Sequence, residues 1–170
     1  MGQLVNIAAH SFTAQDLLRM ERVLLDALEF RVSNVTAFTA LHLLVQGLPG
    51  TRPPVAALAV YLLELCLLDY TLLEVPPTHQ AAAALLLAMH THGTAGAQAP
   101  RLLRLARVEP AALARAAGRL VRIHRDAARP PTEALGALLA PIVSKYSRPS
   151  WCHAALCAPL DAVDPAWCSC

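Results

Sequence analysis

Apolar positions recur at helical spacing along most of this chain. Leu17, Met20, Leu24 and Leu28 fall on one face of a helix that opens at Thr13-Ala14-Gln15-Asp16. That opening is a capping box with Asp in the usual Glu/Gln position. Leu18, Arg22 and Leu25 lie on another face of the same helix. After a break over Arg31–Asn34, Thr36 is placed to cap a helix running through Phe38, Leu41, Leu44 and Val45. Gly47–Pro54, with two glycines and three prolines, is a loop. Pro54–Leu68 is apolar on more than one face, the pattern of a helix at the centre of a bundle. Glu64 and Asp69 interrupt it, and an isolated buried carboxylate is very costly, so each is expected at the core edge with a hydrogen-bond partner. Pro76-Pro77 removes two donors and turns the chain. Thr78 is the expected N-cap of an alanine-rich helix through Ala81–Met89, whose small residues let neighbours approach closely. His92–Pro100 reads as a loop and Arg101–Ala106 as a short helix. Pro110 suits the first turn of a helix to about Ala128. Pro130-Pro131 ends that helix, and Thr132-Glu133 starts a last one toward Tyr146, which Pro141 should kink or bound. Helical periodicity stops at Ser147, and residues 148–170 are expected to form a loosely attached, disordered tail. No strand pattern of any length is present.

The fold class expected from this pattern is all-α: a five-helix domain over about 36–147, with one additional helix at 12–30 packed against it. A length of 170 residues gives such a domain ample core. The hydrophobic fraction of 56% and the mean hydropathy of +0.45 are high, but much of both is alanine and leucine. No window reaches the ~20 apolar residues that cross a bilayer. The start MGQLVNIAAH lacks the order of a signal peptide, and Asn6 stands where a myristoylation motif wants Ser or Thr. A net charge of +2 is weak for a nucleic-acid binder. With no secretory signal, the five cysteines are expected in a reducing compartment as free thiols, Cys66 among them as a small core residue.

Four words in order carry a resemblance. FTAQDLLRMERVLLDALEF at 12–30 has an aromatic-Thr start (Phe12-Thr13), a Met-Glu pair (Met20-Glu21) and a Leu-x-Phe ending (Leu28-Glu29-Phe30). It resembles the last helix of the first cyclin box in the A/B-like group. Val35-Thr36-Ala37-Phe38 is similar to the start of the second box, where family members usually have Pro-Thr. LLELCLLDYTLLEVPPTHQAAAALLLA at 62–88 is similar to helices two and three of that box, and SKYS at 144–147 to the family's closing Lys-Tyr segment. The chain is thus identified as cyclin-like over roughly residues 10–150, closest to atypical, vertebrate-type members of the group. The resemblance implies a remnant of the first box at 1–33, a second cyclin box at 34–147 and the tail at 148–170. It implies a regulatory subunit, not an enzyme, that binds a cyclin-dependent serine/threonine kinase in cell-cycle control, in nucleus and cytoplasm. No cofactor is implied, and neither nucleic acid nor membrane is expected as a partner. The first-box lysine and glutamate that anchor the kinase in well-studied cyclins have no counterpart here, and neither does the helix that docks substrate motifs. A shortened form with impaired kinase binding is therefore expected. The alternative is a helical scaffold that uses a cyclin fold and binds no kinase.

The candidate partner-binding residues are Leu18, Arg22 and Leu25, read either as a kinase-facing remnant or as packing against the second box or residues 1–10. Arg115, Arg119, Arg122 and Arg129, with Arg101, Arg104 and Arg107 upstream, form either a basic patch for phosphate or a solvated face. Cys152, His153, Cys157, Cys168 and Cys170 are soft metal ligands, but C-x4-C followed by C-x-C is no standard zinc spacing. Cys168-Ser169-Cys170 resembles a prenylated terminus only superficially. His90 and His92 flank Thr91 near a helix end, where a histidine is favourable in any case. No phosphate loop, nucleophile–base pair or carboxylate pair is present, so no catalytic, metal or cofactor residue is assigned.

Overall fold

A computed structural model describes residues 2–168. Among them are eight α-helices and four short 3-10 turns, with no strand, and the all-α expectation holds. The chain divides into two compact units, Met1–Asn34 and Val35–Cys170.

The first unit contains α1 (Gly2–Ile7) and α2 (Ala14–Ala27). The capping box at Thr13 is formed as read from the sequence. The Asp16 N–H donates to Thr13 Oγ1 at 3.2 Å, and the Thr13 N–H donates to Asp16 Oδ2 at 2.9 Å. The helix stops short of residue 30 because Glu29 and Phe30 adopt left-handed backbone, with φ of 49° and 57°. The Phe30 N–H turns back to the Leu25 carbonyl at 2.8 Å.

The second unit contains α3 (Ala37–Gly47), α4 (Pro53–Cys66), α5 (Pro77–Thr91), α6 (Ala95–Ala106), α7 (Pro110–Ala128) and α8 (Glu133–Tyr146). Its hub is α5, which packs against α3, α4, α6 and α7. Every residue from Ala81 to Met89 is buried. Helices can enclose α5 on all sides because four successive alanines keep it thin. On the other side α4 buries Val55, Leu58, Tyr61, Leu62 and Leu65 and packs also on α8.

Several local features depart from the sequence reading. Six helices lie between residues 37 and 146, one more than five. The additional full-length element is α6, which begins at Ala95 inside the stretch expected as loop and continues through Pro100. Ala95, Ala99 and Leu102 are buried at helical spacing, so packing outweighs the weak local preference. Thr78 is not the N-cap of α5. Pro76 holds that position and Pro77 opens the helix, since a proline's fixed φ suits the first helical residue. Helix α8 runs through Pro141 rather than ending there. A 3-10 turn at Tyr70–Glu74 follows α4, with Asp69 accepting from the Thr71 N–H at 2.9 Å as its cap.

The expected disordered tail is the largest correction. Residues after Ser147 form 3-10 turns at Pro149–Trp151, Ala154–Leu156 and Pro165–Cys168 and fold back on the second unit. Trp151, Ala154, Cys157, Leu160, Val163 and Trp167 pack on its core. Most of these recur every third residue. Of these only Trp151, Ala154 and Trp167 lie in 3-10 turns and the others sit in irregular backbone, so a search at the helical period of 3.6 does not find them.

Candidate functional site

Helix α2 is the element that carries the candidate partner-binding residues. No residue of α2 is buried. Leu18 and Arg22 are exposed, Leu18 at 49%, and Leu25 is half-buried. The three recur at i, i+4 and i+7 and share a face. Met20, Val23, Leu24 and Leu28 are each more than half exposed. Apolar side chains thus stand around most of the helix, and α2 offers an adhesive surface without chemistry. The structure brings Leu18, Arg22 and Leu25 onto one face of that helix.

The second candidate lies along α7. Its inner face buries Leu113, Ala116, Ala117, Leu120, Val121, His124 and Ala127. Arg115, Arg119 and Arg122 fall on the opposite face, Arg125 joins them although it was not singled out in the sequence, and Arg129 follows the helix as its C-cap. Arg119 is anchored by donation to the Thr71 carbonyl at 2.5 Å, and Arg125 reaches the Asp161 carbonyl at 3.5 Å. The upstream Arg101, Arg104 and Arg107 are exposed on or just after α6, a different element.

Two polar features hold the second unit rather than face a partner. Glu64 Oε2 accepts from Lys145 Nζ at 2.7 Å and from the Tyr146 hydroxyl at 2.5 Å. Burial pushes the Glu64 carboxyl up, but the two hydrogen bonds and the lysine charge hold it below its ordinary value. The expectation of a partnered carboxylate at the core edge is met, and Asp69 is likewise partnered by Thr71. Tyr146 packs on Tyr61 at 5.2 Å and on Trp151 at 4.7 Å between ring centroids. His124, missed in the sequence, is 5% exposed and lies edge-on to Tyr61 at 5.8 Å. Burial lowers its pKa to about 4, partly opposed by the Cys157 backbone. The available signal was positional: His124 occupies a core-facing position of α7, between Leu120 and Ala127.

Among the described residues the candidate soft ligands do not converge. Cys152 and His153 are exposed, while Cys157 is half-buried with its Sγ 4.0 Å from His92 Nε2. His90 stacks on Trp167 at 3.7 Å. Cys170, with the terminal Cys-Ser-Cys reading, lies outside the described residues. Among the described residues no group of three or more His, Cys, Asp or Glu side chains could hold a metal ion. Nor is any described helix long and apolar enough to cross a membrane. The described residues present an exposed apolar helix in the first unit and an arginine-lined helix in the second.

Residues 45–160 match the family model described as "Cyclin, C-terminal domain". The chain is 33% identical over 91 residues to G2/mitotic-specific cyclin-1 of Medicago sativa subsp. varia, a match covering 54% of this chain and 21% of that protein. It is 34% identical over 91 residues to Cyclin-B2-2 of Arabidopsis thaliana (53% and 21%) and 35% identical over 89 residues to Cyclin-A1-2 of the same plant (50% and 20%). The matched region therefore spans about a fifth of the length of these relatives.

Proposed function

The chain belongs to the cyclin family through its cyclin C-terminal domain, and from that premise we propose that it is a regulatory subunit of a cyclin-dependent serine/threonine kinase in cell-cycle control. The family match over residues 45–160 is the observation that carries this reading. Exposed α2 supports it, as the element that would face the kinase through Leu18, Arg22 and Leu25. Such a subunit works by binding the active kinase conformation more tightly than the inactive one. The kinase supplies the nucleotide and the catalysis, and no residue of this chain need touch either. On this reading α2 corresponds to the last helix of a first cyclin box, and the compartments are nucleus and cytoplasm. Within the family we place the chain among atypical A/B-like cyclins of the cyclin P or cyclin O kind, and the similarity to B- and A-type cyclins supports the A/B-like part of that placement.

The test is capture and activation across a panel of cyclin-dependent kinases, with a two-box cyclin alongside. One box and one further helix present less contact surface than two boxes, so capture is expected but weaker than for the two-box protein. Leu18→Glu with Leu25→Glu is expected to abolish it while leaving the helical content unchanged. Failure to capture any kinase, or full capture by the double variant, would overturn the proposal. Loss of solubility in that variant would show that the two leucines pack internally.

A further inference from the structure

We propose that the arginine face of α7 is a docking trough for a serine-phosphorylated acidic segment of a partner protein, separate from the kinase-facing helix.

Four guanidiniums, Arg115, Arg119, Arg122 and Arg125, line one side of a 19-residue helix, and Arg129 follows as its C-cap. The fourteen residues from Arg115 to Arg129 cover about 21 Å at the helical rise, so the charges are spaced on the scale of one helical turn. Among the described residues none of the five has a carboxylate within 4.0 Å, the ion pairs there being Arg31–Glu29 and Lys145–Glu64. Three shallow, open depressions lie along this line. One depression is lined by Arg115, Gly118, Arg119 and Arg122. It continues through Arg115 and Arg119 toward Val75, Pro76 and His79. In the other direction it continues through Arg122 into a hollow of about 610 Å³ whose far wall is Ala158, Pro159 and Asp161. Asp126 and Asp161 line the hollow that holds Arg122, Arg125 and Arg129, and Glu74 lines the depression at Arg115 and Arg119. The middle stretch has none in its lining.

Gly118 is the second, independent observation. A glycine inside a helix costs about 1 kcal/mol relative to alanine. Close packing explains many such glycines, but a Cβ built on Gly118 would meet nothing within 4 Å. Gly118 is exposed and lines the depression together with Arg115, Arg119 and Arg122, leaving no side chain at that point. Such a gap admits the backbone of a ligand between flanking guanidiniums.

The chemistry selects the occupant. Arginine forks bind phosphate bidentately and always carry charge. An extended peptide places alternate side chains about 6.6 Å apart on one side, near the axial spacing of these arginines, and about six residues span the trough. A nucleic acid fits less well. No Phe, Tyr or Trp lines the three depressions to stack a base, and a net charge of +2 provides little long-range attraction for a polyanion.

The test uses the full chain and fluorescence anisotropy. The probes are a labelled acidic peptide of about eight residues with phosphoserine at alternate positions, its unphosphorylated counterpart, and a single-stranded DNA of matched charge. The phosphopeptide is expected to bind at least about tenfold more tightly than either other probe, the difference of a few charge-assisted hydrogen bonds. Arg115→Glu with Arg122→Glu is expected to abolish binding. Gly118→Leu, which fills the floor without changing charge, is expected to weaken it by about tenfold or more. If the charge-reversed protein fails to fold, Arg115→Gln with Arg122→Gln and Gly118→Leu carry the test. Absence of phosphopeptide binding, equal affinity for the DNA, or undiminished binding by Gly118→Leu overturns the proposal. The last of these would mean diffuse attraction rather than a trough.

Discussion

At the scale of single residues, Glu64 and His124 show how a polar side chain is kept in an alanine and leucine core. Glu64 retains its charge because Lys145 and Tyr146 reach it from the last helix. Tyr146→Phe is expected to lower the unfolding free energy by about 1–2 kcal/mol, the range for a hydrogen bond to a charged group at a partly screened site. In urea denaturation, combining it with Glu64→Gln should cost less than the sum of the two, because they share one interaction. Since the folded Glu64 value lies below the ordinary 4.5, its contribution is present above that pH and lost as pH falls through the lower folded value. His124 is the opposite case. Its folded value of about 4 lies below 6.5, so the buried neutral ring contributes fully above pH 6.5 and the contribution is lost as pH falls toward 4. The expected loss over that window is about 3 kcal/mol. His124→Leu should flatten the decline, measured as unfolding free energy at pH 7 and pH 4.5; an unchanged slope would refute this account. The sequence revealed that Glu64 needed a partner. It could not reveal which one, because Lys145 lies 81 residues away.

At the scale of elements, α5 decides the fold, and its nine consecutive buried residues were legible from the alanine and leucine run alone. Thr13, Thr36 and Thr132 were legible as caps for the same local reason: a short oxygen-bearing side chain reaches the N–H three residues on. What was not legible depended on contacts between elements. Helix α6 begins at Ala95 where Ala95, Ala99 and Leu102 are buried, and the helix packs on α5 and α3. The candidate site was half legible. Leu18, Arg22 and Leu25 share a face by spacing alone, whereas Arg125 and Gly118 acquire meaning only once the depressions along α7 are seen. The hub role of α5 makes a sharp prediction. Ala84 is fully buried, so Ala84→Leu should destabilise by about 1–3 kcal/mol or more through overpacking, although leucine is a good helix former. Gly118→Ala on α7 should do the reverse, raising stability by about 0.5–1 kcal/mol, since the added methyl meets no neighbour. Thermal unfolding of the two variants is expected to move in opposite directions, and a stable Ala84→Leu protein would mean that α5 is not enclosed.

At the scale of the whole molecule, the C-terminal stretch is part of the folded second unit, and this has an optical consequence. Both tryptophans of the chain, Trp151 and Trp167, lie in that stretch. Trp151 packs on Tyr146, whose hydroxyl holds Glu64, while Trp167 stacks on His90 at the end of α5. The stretch thus closes over the same aromatic group, Tyr61, Tyr146 and His124, that joins α4, α7 and α8. Tryptophan emission therefore reports docking of this segment directly. Trp151→Ala should remove about 2–3 kcal/mol, less than a fully buried tryptophan because the residue is partly exposed, and should shift the remaining Trp167 emission to the red if the segment releases as one piece. Ending the chain at Ser147 should cost more, since it also uncovers the ground beneath Ala154, and should increase binding of an apolar dye. It should also weaken the phosphopeptide, because Pro159 and Asp161 form one wall of the hollow beside Arg125. A shortened protein with unchanged melting temperature and unchanged dye binding would mean that residues 148–168 only rest on the domain, and the spacing of Trp151, Ala154, Cys157, Leu160 and Val163 would then need another explanation than packing.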